Sequence, residues 1–273
     1  MPSRPLAAQT ALVTGASGGI GADLARELAA LGANLVITAR SADKLAALAD
    51  ELRAKHAVTV TVVAADLATR EGPATLAAEV DRQGLVIDLL VNNAGFGTWS
   101  AFADTPWHDV ERLIDLDLRA LTFLTHYFIG GMKARGRGRI MNVASFLAYA
   151  PCPDFATYGA AKAYVLSLSE ALDHELKGSG VRVFVTCPGG TRTNFTEAAG
   201  QRLTKVGQRS LMTSEAVARL SVKKMLRGRR TYIPGWMNVL SGLFLRLVPR
   251  TFRPAFMRTA MGAGVEKPKL GRA

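Results

Sequence analysis

A short apolar run, a glycine-rich turn and a helical pattern follow one another near the start of the chain, and this order constrains the fold most. Residues 10–14, Thr-Ala-Leu-Val-Thr, have the β-branched and apolar composition of a buried strand. The next turn carries Gly15, Gly19 and Gly21, and leucines then recur at helical spacing up to residue 31. Glycine is needed where the backbone turns tightly and approaches a ligand. A helix N-terminus behind such a turn holds phosphate groups on its N–H groups, so the segment predicts a nucleotide-binding unit.

Strand-like and helical patterns alternate along most of the 273 residues. The predicted strands are 10–16, 34–40, 59–65, 87–92, 139–145, 181–187 and 230–234. The predicted helices are 19–31, 42–55, 72–83, 106–134, 155–178 and 214–227, with Thr105 and Thr213 as N-caps of the fourth and the last. Such alternation predicts an α/β fold, a doubly wound parallel sheet of about seven strands with helices on both faces.

Three polar residues in the second half of the chain suggest acid–base chemistry. Tyr158 and Lys162 are four residues apart on a predicted helix and therefore share one face. A lysine ammonium favours the phenolate form of a nearby tyrosine, whose ordinary pKa is about 10. Ser145 ends the preceding strand, where its hydroxyl can bind a substrate carbonyl. Taken alone, the Tyr–Lys pair is better explained by an exposed helix face, so the interpretation depends on the nucleotide motif.

In combination and in order, these motifs resemble those of the short-chain dehydrogenase/reductase family, in particular its NADP-dependent 3-oxoacyl and hydroxysteroid reductases. The matching segments are Thr14–Gly21, Asp66-Leu67, Asn92–Gly95, Ser145, Tyr158-x-x-x-Lys162 and Pro188-Gly189 with Thr193. They span residues 10 to about 195. The resemblance implies a Rossmann-type fold, a nicotinamide cofactor, hydride transfer between cofactor and a carbonyl or secondary alcohol, and a homodimer or homotetramer.

The resemblance also implies roles for single residues. Tyr158 is the expected general acid, Ser145 polarises the carbonyl oxygen, and Lys162 binds the nicotinamide ribose and lowers the pKa of the tyrosine. Besides Tyr158 and Lys162, the expected cofactor contacts are Gly15, Ser17, Gly19, Ile20, Gly21, Asp66, Leu67, Asn93, Ala94, Gly95, Pro188, Gly189, Thr191 and Thr193. A helix cap at Asp66 and a purely structural Asn93 are the alternatives for those two residues.

Asp117 departs from the family pattern, because asparagine usually occupies this position. In relatives that asparagine supports a helix distortion and a water that relays protons to the lysine. An ionised Asp117 would add a negative charge near Lys162 and favour its protonation, so we include Asp117 in the catalytic group. The alternative function is a regulatory or scaffolding protein that binds NADP but has lost turnover at Asp117.

The end of the second strand, residues 36–40, favours NADP over NAD. An acid there would bind the ribose hydroxyls and repel a 2′-phosphate, and positions 38 and 39 carry none. Arg40 instead offers a guanidinium to such a phosphate. The alternative is a surface salt bridge between Arg40 and either Asp43 or Glu51.

Apolar side chains flank the catalytic motifs and predict an apolar substrate. They are Phe96, Trp99, Phe146, Leu147, Tyr149 and Phe155. Some of them must belong to the core, and the others would form a pocket for a 3-oxoacyl chain, a steroid or an aromatic ketone.

The charge of the chain is concentrated in its last quarter. Residues 201–273 contain sixteen lysines and arginines and two acids, a net charge of +14, whereas residues 1–200 have a net charge of −2. Nucleic acid is one possible partner of such a basic region. The family resemblance favours an anionic lipid surface or an acyl carrier instead, so no nucleic acid is expected. Residues 1–235 are predicted to form the dinucleotide-binding and catalytic domain. The basic, apolar extension 236–273 is too short and broken to span a bilayer, which leaves a lid, a dimer contact or a membrane-surface segment.

Cysteine and histidine are few and follow no ligand spacing. Cys152 and Cys187 are isolated, and the four histidines are scattered, so no metal site is expected. Such sparse cysteine suits a reducing compartment, and we expect a cytoplasmic protein, peripheral at a membrane if the extension binds one. The first apolar run belongs to the predicted first strand, which disfavours a signal peptide.

Overall fold

The computed structural model describes residues 4–262 together with residues 264 and 265. Its strands are β1 (Thr10–Thr14), β2 (Asn34–Ala39), β3 (Val60–Ala64), β4 (Leu89–Asn92), β5 (Gly138–Val143), β6 (Val181–Thr186), β7 (Thr191–Arg192), β8 (Met212–Thr213) and β9 (Thr231–Tyr232). Its α-helices are α1 (Gly19–Ala30), α2 (Ala42–Lys55), α3 (Gly72–Arg82), α4 (Trp107–Ile114), α5 (Leu121–Ala134), α6 (Ala156–Glu175), α7 (Phe195–Ala198), α8 (Lys205–Arg209), α9 (Ser214–Leu226), α10 (Trp236–Leu247) and α11 (Arg253–Gly262). A π-helical segment, Asp115–Ala120, joins α4 to α5.

In this part of the chain, seven strands form one parallel sheet in the order β3-β2-β1-β4-β5-β6-β9. The order changes direction between β1 and β4, as in a doubly wound Rossmann-type sheet, so the predicted fold class is confirmed. Loops that leave the carboxyl ends of β1 and β4 diverge to opposite sides and open a crevice there, which is where such sheets bind ligands. The short strands β7 and β8 pair separately from the main sheet.

Both faces of the sheet are covered, which explains the continuous apolar runs in its strands. Side chains alternate along β1: Ala11 and Val13 pack into the core beneath α1, α2 and α9, whereas Leu12 packs into the core on the α3 and α5 side. These two cores fix the strand ends and therefore the crevice above them.

The segment predicted as one helix, residues 106–134, is divided into α4, the π-helical segment and α5. The predicted N-cap at Thr105 is wrong, because the Thr105 hydroxyl donates to the carbonyl of Ala101 at 3.0 Å. The first carbonyl to accept a helical hydrogen bond belongs to Pro106, which receives the N–H of Asp109 at 3.0 Å. Thr213 caps α9 as predicted, since its hydroxyl oxygen accepts from the N–H of Ala216 at 3.2 Å.

The C-terminal region ends in α10, a short 3-10 turn at Arg250–Phe252, and α11. Within residues 4–262 and 264–265, no helix is long and apolar enough to cross a membrane. Residues 263 and 266–273 of the predicted extension, with the basic Lys267, Lys269 and Arg272, lie outside the described residues.

Candidate active site

The glycine-rich turn between β1 and α1 can be built only from glycine at its key positions. Gly15 and Gly19 have φ angles of 67° and 54°, in the left-handed region that favours glycine. A Cβ atom on Gly21 would lie 2.3 Å from the carbonyl oxygen of Gly15. Ser17 and Ile20 lie on the same turn and are partly exposed. The free N–H groups at the start of α1 therefore border an open backbone cradle.

The end of β4 is tied directly to this turn. The Asn93 side chain donates to the carbonyl oxygens of Thr14 at 3.0 Å and of Gly15 at 3.3 Å. The Thr14 hydroxyl in turn accepts from the N–H groups of Asn93 and Ala94, both at 3.0 Å. Asn93 thus has the structural function that the sequence left as an alternative, and its backbone borders the turn. Thr14 was not among the predicted site residues, although it opens the glycine motif.

Asp66 and Leu67 follow β3 at the same edge of the sheet. One carboxylate oxygen of Asp66 accepts from the N–H of Ala68 at 3.0 Å, and the other accepts from Arg112 at 3.3 Å. Asp66 does not cap α3, which begins six residues later at Gly72 after Glu71. The side chain of Leu67 is buried in the core.

Arg40 follows β2 with its side chain exposed to solvent. Among the described residues it forms no ion pair within 4.0 Å with an acidic side chain. Glu51, one of its two predicted alternative partners, instead pairs with Arg26 at 2.7 Å and with Lys55 at 2.8 Å. The guanidinium of Arg40 is therefore available to a ligand at the end of β2.

The predicted catalytic residues meet above β5. Ser145 lies two residues beyond this strand, Tyr158 and Lys162 lie on the first turns of α6, and Asp117 lies in the π-helical segment. All four side chains are buried. The Lys162 ammonium lies 5.5 Å from the centre of the Tyr158 ring and donates to the carbonyl of Val143 at 3.3 Å.

Asp117 forms a direct ion pair with the lysine. Its Oδ1 atom lies 2.6 Å from Lys162 Nζ, and its Oδ2 atom accepts from the N–H of Phe96 at 3.1 Å. A Cβ atom on Gly95 would lie 2.8 Å from Asp117 Oδ1 and 3.1 Å from Lys162 Nζ, so this close approach requires glycine. The helix distortion implied by the resemblance lies at this position, since a π-helical turn carries an extra residue and redirects the side chain.

Burial shifts the pKa of Tyr158, Asp117 and Lys162. Burial raises the pKa of Tyr158. Lys162 lowers this pKa and Asp117 raises it, and the net result is a raised pKa. Lys162 thus lowers the pKa of Tyr158 as expected, but burial and Asp117 raise this pKa more than the lysine lowers it. Burial also raises the pKa of Asp117, against the opposing effect of Lys162. For Lys162, burial lowers the pKa, whereas Asp117 and Tyr158 raise it, and the net pKa is raised.

Aromatic rings enclose the tyrosine. The Tyr158 ring lies 5.0 Å from that of Phe155 and 5.3 Å from that of Phe195, centre to centre. The apolar cluster around it contains five of the six predicted side chains, namely Phe96, Trp99, Phe146, Leu147 and Phe155. Tyr149 instead belongs to a neighbouring cluster, where its hydroxyl donates to Cys187 Sγ at 3.7 Å. Phe195 was missed because no motif marks it, apart from its position two residues after Thr193.

The loop after β6 closes over the glycine turn. Its buried Pro188 accepts the N–H of Phe146 at 2.7 Å, next to Ser145. Thr191 donates its hydroxyl to the carbonyl of Gly189 at 3.0 Å. A Cβ atom on Gly19 would lie 3.0 Å from a methyl carbon of Thr193, which places this loop directly over the turn.

Neither cysteine takes part in a metal or disulfide site. Cys152 and Cys187 are free and buried. In the described part of the chain, no group of three or more histidine, cysteine, aspartate or glutamate side chains could hold a metal ion.

The fold and the site are those of a nucleotide-binding α/β protein with a buried tyrosine–lysine pair. The family model described as short chain dehydrogenase matches residues 9–204, and the chain belongs to this family of oxidoreductases. The resemblance inferred from the motifs is thereby confirmed.

Relatives and solved structures agree with this assignment. The chain is 32% identical over 192 residues to the 3-oxoacyl-acyl-carrier-protein reductase of Rickettsia bellii, covering 70% of this chain and 76% of the relative. It is 34% identical over 190 residues to the very-long-chain 3-oxoacyl-CoA reductase of Aspergillus clavatus, covering 67% of this chain but only 55% of that relative. A short-chain dehydrogenase from Sphingobium yanoikuyae in complex with NADPH superposes with a TM-score of 0.78 at 30% identity, covering 97% of this chain and 98% of that one.

The residues present fit a nicotinamide dinucleotide. A side chain at Gly15 would meet the backbone of Ala94 at 2.9 Å, so the cradle beside α1 is kept open by glycine. Lys162 and Tyr158 lie on one face of α6, beside the loop that carries Gly189 and Thr193. The site therefore offers backbone donors for phosphates at one end and an acid–base group at the other.

Proposed function

We propose that the protein is an NADP-dependent carbonyl reductase or alcohol dehydrogenase for an apolar substrate. The observation that supports this most is the buried group of Ser145, Tyr158 and Lys162, which lies between the glycine turn and the apolar cluster around Tyr158. A nicotinamide cofactor supplies the hydride in reduction, or accepts it in oxidation, when it is bound. The chain has to supply the proton and stabilise the charge on the substrate oxygen.

In this proposal, Tyr158 donates the proton to the carbonyl oxygen. Its raised pKa keeps the phenol protonated at neutral pH, as a general acid requires. The Ser145 oxygen accepts the N–H of Leu147 at 3.2 Å, and its own hydroxyl proton would donate to the same carbonyl oxygen when substrate is bound. Two donors would then meet the oxygen where negative charge develops.

Asp117 is proposed as a positioning residue that acts through Lys162. The 2.6 Å separation of their charged atoms leaves no room for a bridging water between them. The Lys162 ammonium opposes the effect of burial on the pKa of Tyr158, whereas the Asp117 carboxylate raises the pKa of both Lys162 and Tyr158. In this chain a direct ion pair would thus replace at least the last step of the water relay that the resemblance implies.

Arg40 supports the choice of NADP. Its exposed guanidinium stands at the end of β2, without an acidic partner among the described residues, and no acid stands at positions 38 or 39. An arginine there binds a 2′-phosphate by charge-assisted hydrogen bonds. The similar Sphingobium yanoikuyae dehydrogenase is a complex with NADPH.

A 3-oxoacyl thioester is the substrate class that we propose first. Two relatives are reductases of 3-oxoacyl groups, one carried by a protein and one by coenzyme A. The apolar cluster around Tyr158 suits an acyl chain, and steroids and aromatic ketones share its apolar character.

We also propose which residues contact the cofactor. They are the residues named above in the glycine turn and at 66–67, 93–95 and 188–193.

Self-association is expected through the outer faces of α5 and α6. Phe123, Tyr127 and Tyr164 are exposed there. Stacked Phe123 and Tyr127 are 5.8 Å apart, and the Tyr164 hydroxyl bonds to that of Thr122 at 2.9 Å. Exposed aromatic groups of this kind favour a protein interface, and we propose a homodimer or homotetramer.

Turnover of NADPH with a panel of substrates tests the proposal. The panel contains 3-oxoacyl thioesters of increasing chain length, a steroid ketone and an aromatic ketone. We expect loss of NADPH absorbance that depends on substrate and accelerates as the acyl chain lengthens. Tight NADPH binding without turnover of any of them would support the alternative, a regulatory or scaffolding protein. Absence of NADPH binding would contradict both.

A further inference from the structure

The outward face of α10 is apolar, where a surface helix normally carries polar groups. Trp236, Leu240, Leu243 and Leu247 form one stripe at helical spacing and are 74%, 55%, 52% and 82% exposed. The opposite side of the helix contacts the body of the protein and buries Leu245. The helix is thus amphipathic with its large apolar side chains turned to solvent.

The same surface continues onto the end of the described chain. Phe244 of α10 lies 5.5 Å from Phe256 of α11, centre to centre, and Phe252 is exposed between the two helices. We name this surface the C-terminal apolar face; it consists of Trp236, Met237, Leu240, Leu243, Phe244, Leu247, Phe252 and Phe256. A contiguous patch of this kind on a soluble domain marks a surface that binds something.

The charged residues of the segment that carries this face are all basic. Arg246, Arg250 and Arg258 are exposed on it, and no acidic residue occurs from position 216 to position 265. Among the described residues from 236 onward, Arg258 forms an ion pair with an acidic residue, Asp154 from the body of the protein, at 3.8 Å. A second copy docked through the same face would bring like charges together without acids to pair them, whereas an anionic surface is complementary.

The geometry matches a helix that lies in a membrane interface. Such helices place apolar and aromatic side chains at the boundary of the acyl chains and cations at the level of the headgroups. The α10 helix has 12 residues, and within the described chain no helix is long and apolar enough to span a bilayer. Trp236 and the three phenylalanines supply the aromatic groups that favour this boundary.

The face also lies next to the candidate active site. Asn238 of α10 packs against the loop at Gly189, where a Cβ atom would lie 2.6 Å from its amide oxygen. A Cβ atom on Gly242 would lie 3.6 Å from the Phe146 ring, which belongs to the apolar cluster around Tyr158. The body-facing side of α10 therefore forms part of the surroundings of the site, while its other side is exposed.

We propose that the C-terminal apolar face docks onto an anionic lipid surface. Docking would hold the substrate side of the protein against a membrane, from which an apolar substrate could enter. This last consequence rests on the proposed function, whereas the docking itself does not.

Co-sedimentation of the full chain with vesicles tests the docking. We expect binding to phosphatidylcholine vesicles that contain phosphatidylglycerol at low salt, and weak binding to vesicles of phosphatidylcholine alone. Binding should fall as salt rises, because exposed charges are screened over about 10 Å at 0.1 M ionic strength. Failure to bind the anionic vesicles at low salt would overturn the proposal, whatever the result of the substrate panel.

Two double variants separate the apolar and the cationic contributions. Leu240→Gln with Leu247→Gln removes exposed apolar side chains, and Arg246→Gln with Arg250→Gln removes exposed charge. Each should weaken vesicle binding at least about tenfold, or about 1.4 kcal/mol. The matched control, Val86→Gln with Lys177→Gln, changes one exposed apolar and one exposed basic residue outside the face and should bind like the parent.

Circular dichroism and light scattering complete the test. The altered side chains are exposed, so the spectra should match that of the parent. Equal vesicle binding by the parent and both face variants would overturn the proposal. A parent oligomer that the Leu240→Gln and Leu247→Gln variant dissociates would overturn it too, in favour of a contact between copies of the chain.

Discussion

At the scale of single residues, the contacts of Asp117 distinguish this site from the family pattern. The carboxylate joins Lys162 on one side and the N–H of Phe96 on the other, without exposure to solvent. The sequence showed the departure from asparagine but not the direct ion pair. That contact depends on the π-helical turn and on the missing side chain at Gly95, which periodicity does not reveal.

Asp117→Asn should shift the pH dependence of alcohol oxidation to lower pH. The amide keeps an acceptor for Phe96 but removes a negative charge that raises the pKa of Tyr158, so the phenolate forms more readily. We expect activity at the optimum to stay within about tenfold of the parent, a change in barrier of about 1.4 kcal/mol. The measurement is kcat/KM against pH.

Asp115→Asn is the matched control for this change. Asp115 lies in the same π-helical segment but pairs with Arg119 at 2.7 Å on the partly exposed side. The dependence of kcat/KM on pH should be the same for Asp115→Asn as for the parent. A profile of Asp117→Asn that coincides with that of the parent would place the carboxylate outside the proton chemistry.

Arg40→Ala should weaken NADPH binding and leave NADH binding nearly unchanged. Loss of hydrogen bonds to a charged phosphate costs about 1.5–3 kcal/mol, or at least about tenfold in affinity. Calorimetric titration of both cofactors measures this, with Lys55→Ala as a control because that lysine pairs with Glu51. Equal losses for the two cofactors would show that Arg40 does not bind the 2′-phosphate.

At the scale of helices and strands, most elements could be predicted from the sequence to within a few residues. Buried strands are apolar runs, and apolar residues recur at a fixed period in the helices that cover them, so both kinds of element can be recognised in the sequence. The prediction of a continuous helix at 106–134 was wrong because the π-helical segment occurs together with long-range contacts of Asp117 to Lys162 and Phe96, which sequence periodicity does not show. The cap at Thr105 failed because a threonine hydroxyl can equally bond backward, here to Ala101.

Asp173 joins two elements of the sheet region, and its loss should destabilise the fold. Its buried carboxylate accepts from the N–H of Val183 at 3.1 Å and pairs with Arg182 at 2.8 Å and Arg230 at 2.9 Å. Asp173→Ala should lower the free energy of unfolding at neutral pH by about 1–3 kcal/mol in urea titrations. The exposed Asp50→Ala should stay within about 0.5 kcal/mol of the parent.

The effect of Asp173 should also depend on pH. Burial raises the pKa of this carboxyl, but the hydrogen bonds from Arg182 and Val183 together with the charges of Arg182 and Arg230 outweigh it, and the folded-state pKa is lowered. The stabilisation is then fully present above the unfolded pKa of about 3.9 and is lost as the pH falls below it. A gap between Asp173→Ala and parent that stays constant into the acid range would contradict this account.

At the scale of the whole molecule, the two parts of the chain that the charge pattern distinguishes have different surfaces. The nearly neutral first 200 residues contain the catalytic group and every strand of the main sheet except β9, and the strongly basic remainder supplies the C-terminal apolar face. Sequence alone left a lid, a dimer contact and a membrane segment open for this region. A helical period shows that one face is apolar, but only the packing shows that this face is turned outward.

Deuteride transfer tests the central claim, that Tyr158 is the proton donor of an oxidoreductase, most directly. NADPH deuterated at both C4 positions is mixed with the best carbonyl substrate from the panel, and the alcohol is analysed by mass spectrometry. The parent should place one deuterium on the carbinol carbon. Tyr158→Phe should bind NADPH normally but transfer deuterium at least about a hundredfold more slowly, as expected for loss of a general acid. Transfer by Tyr158→Phe within about tenfold of the parent rate would contradict the account.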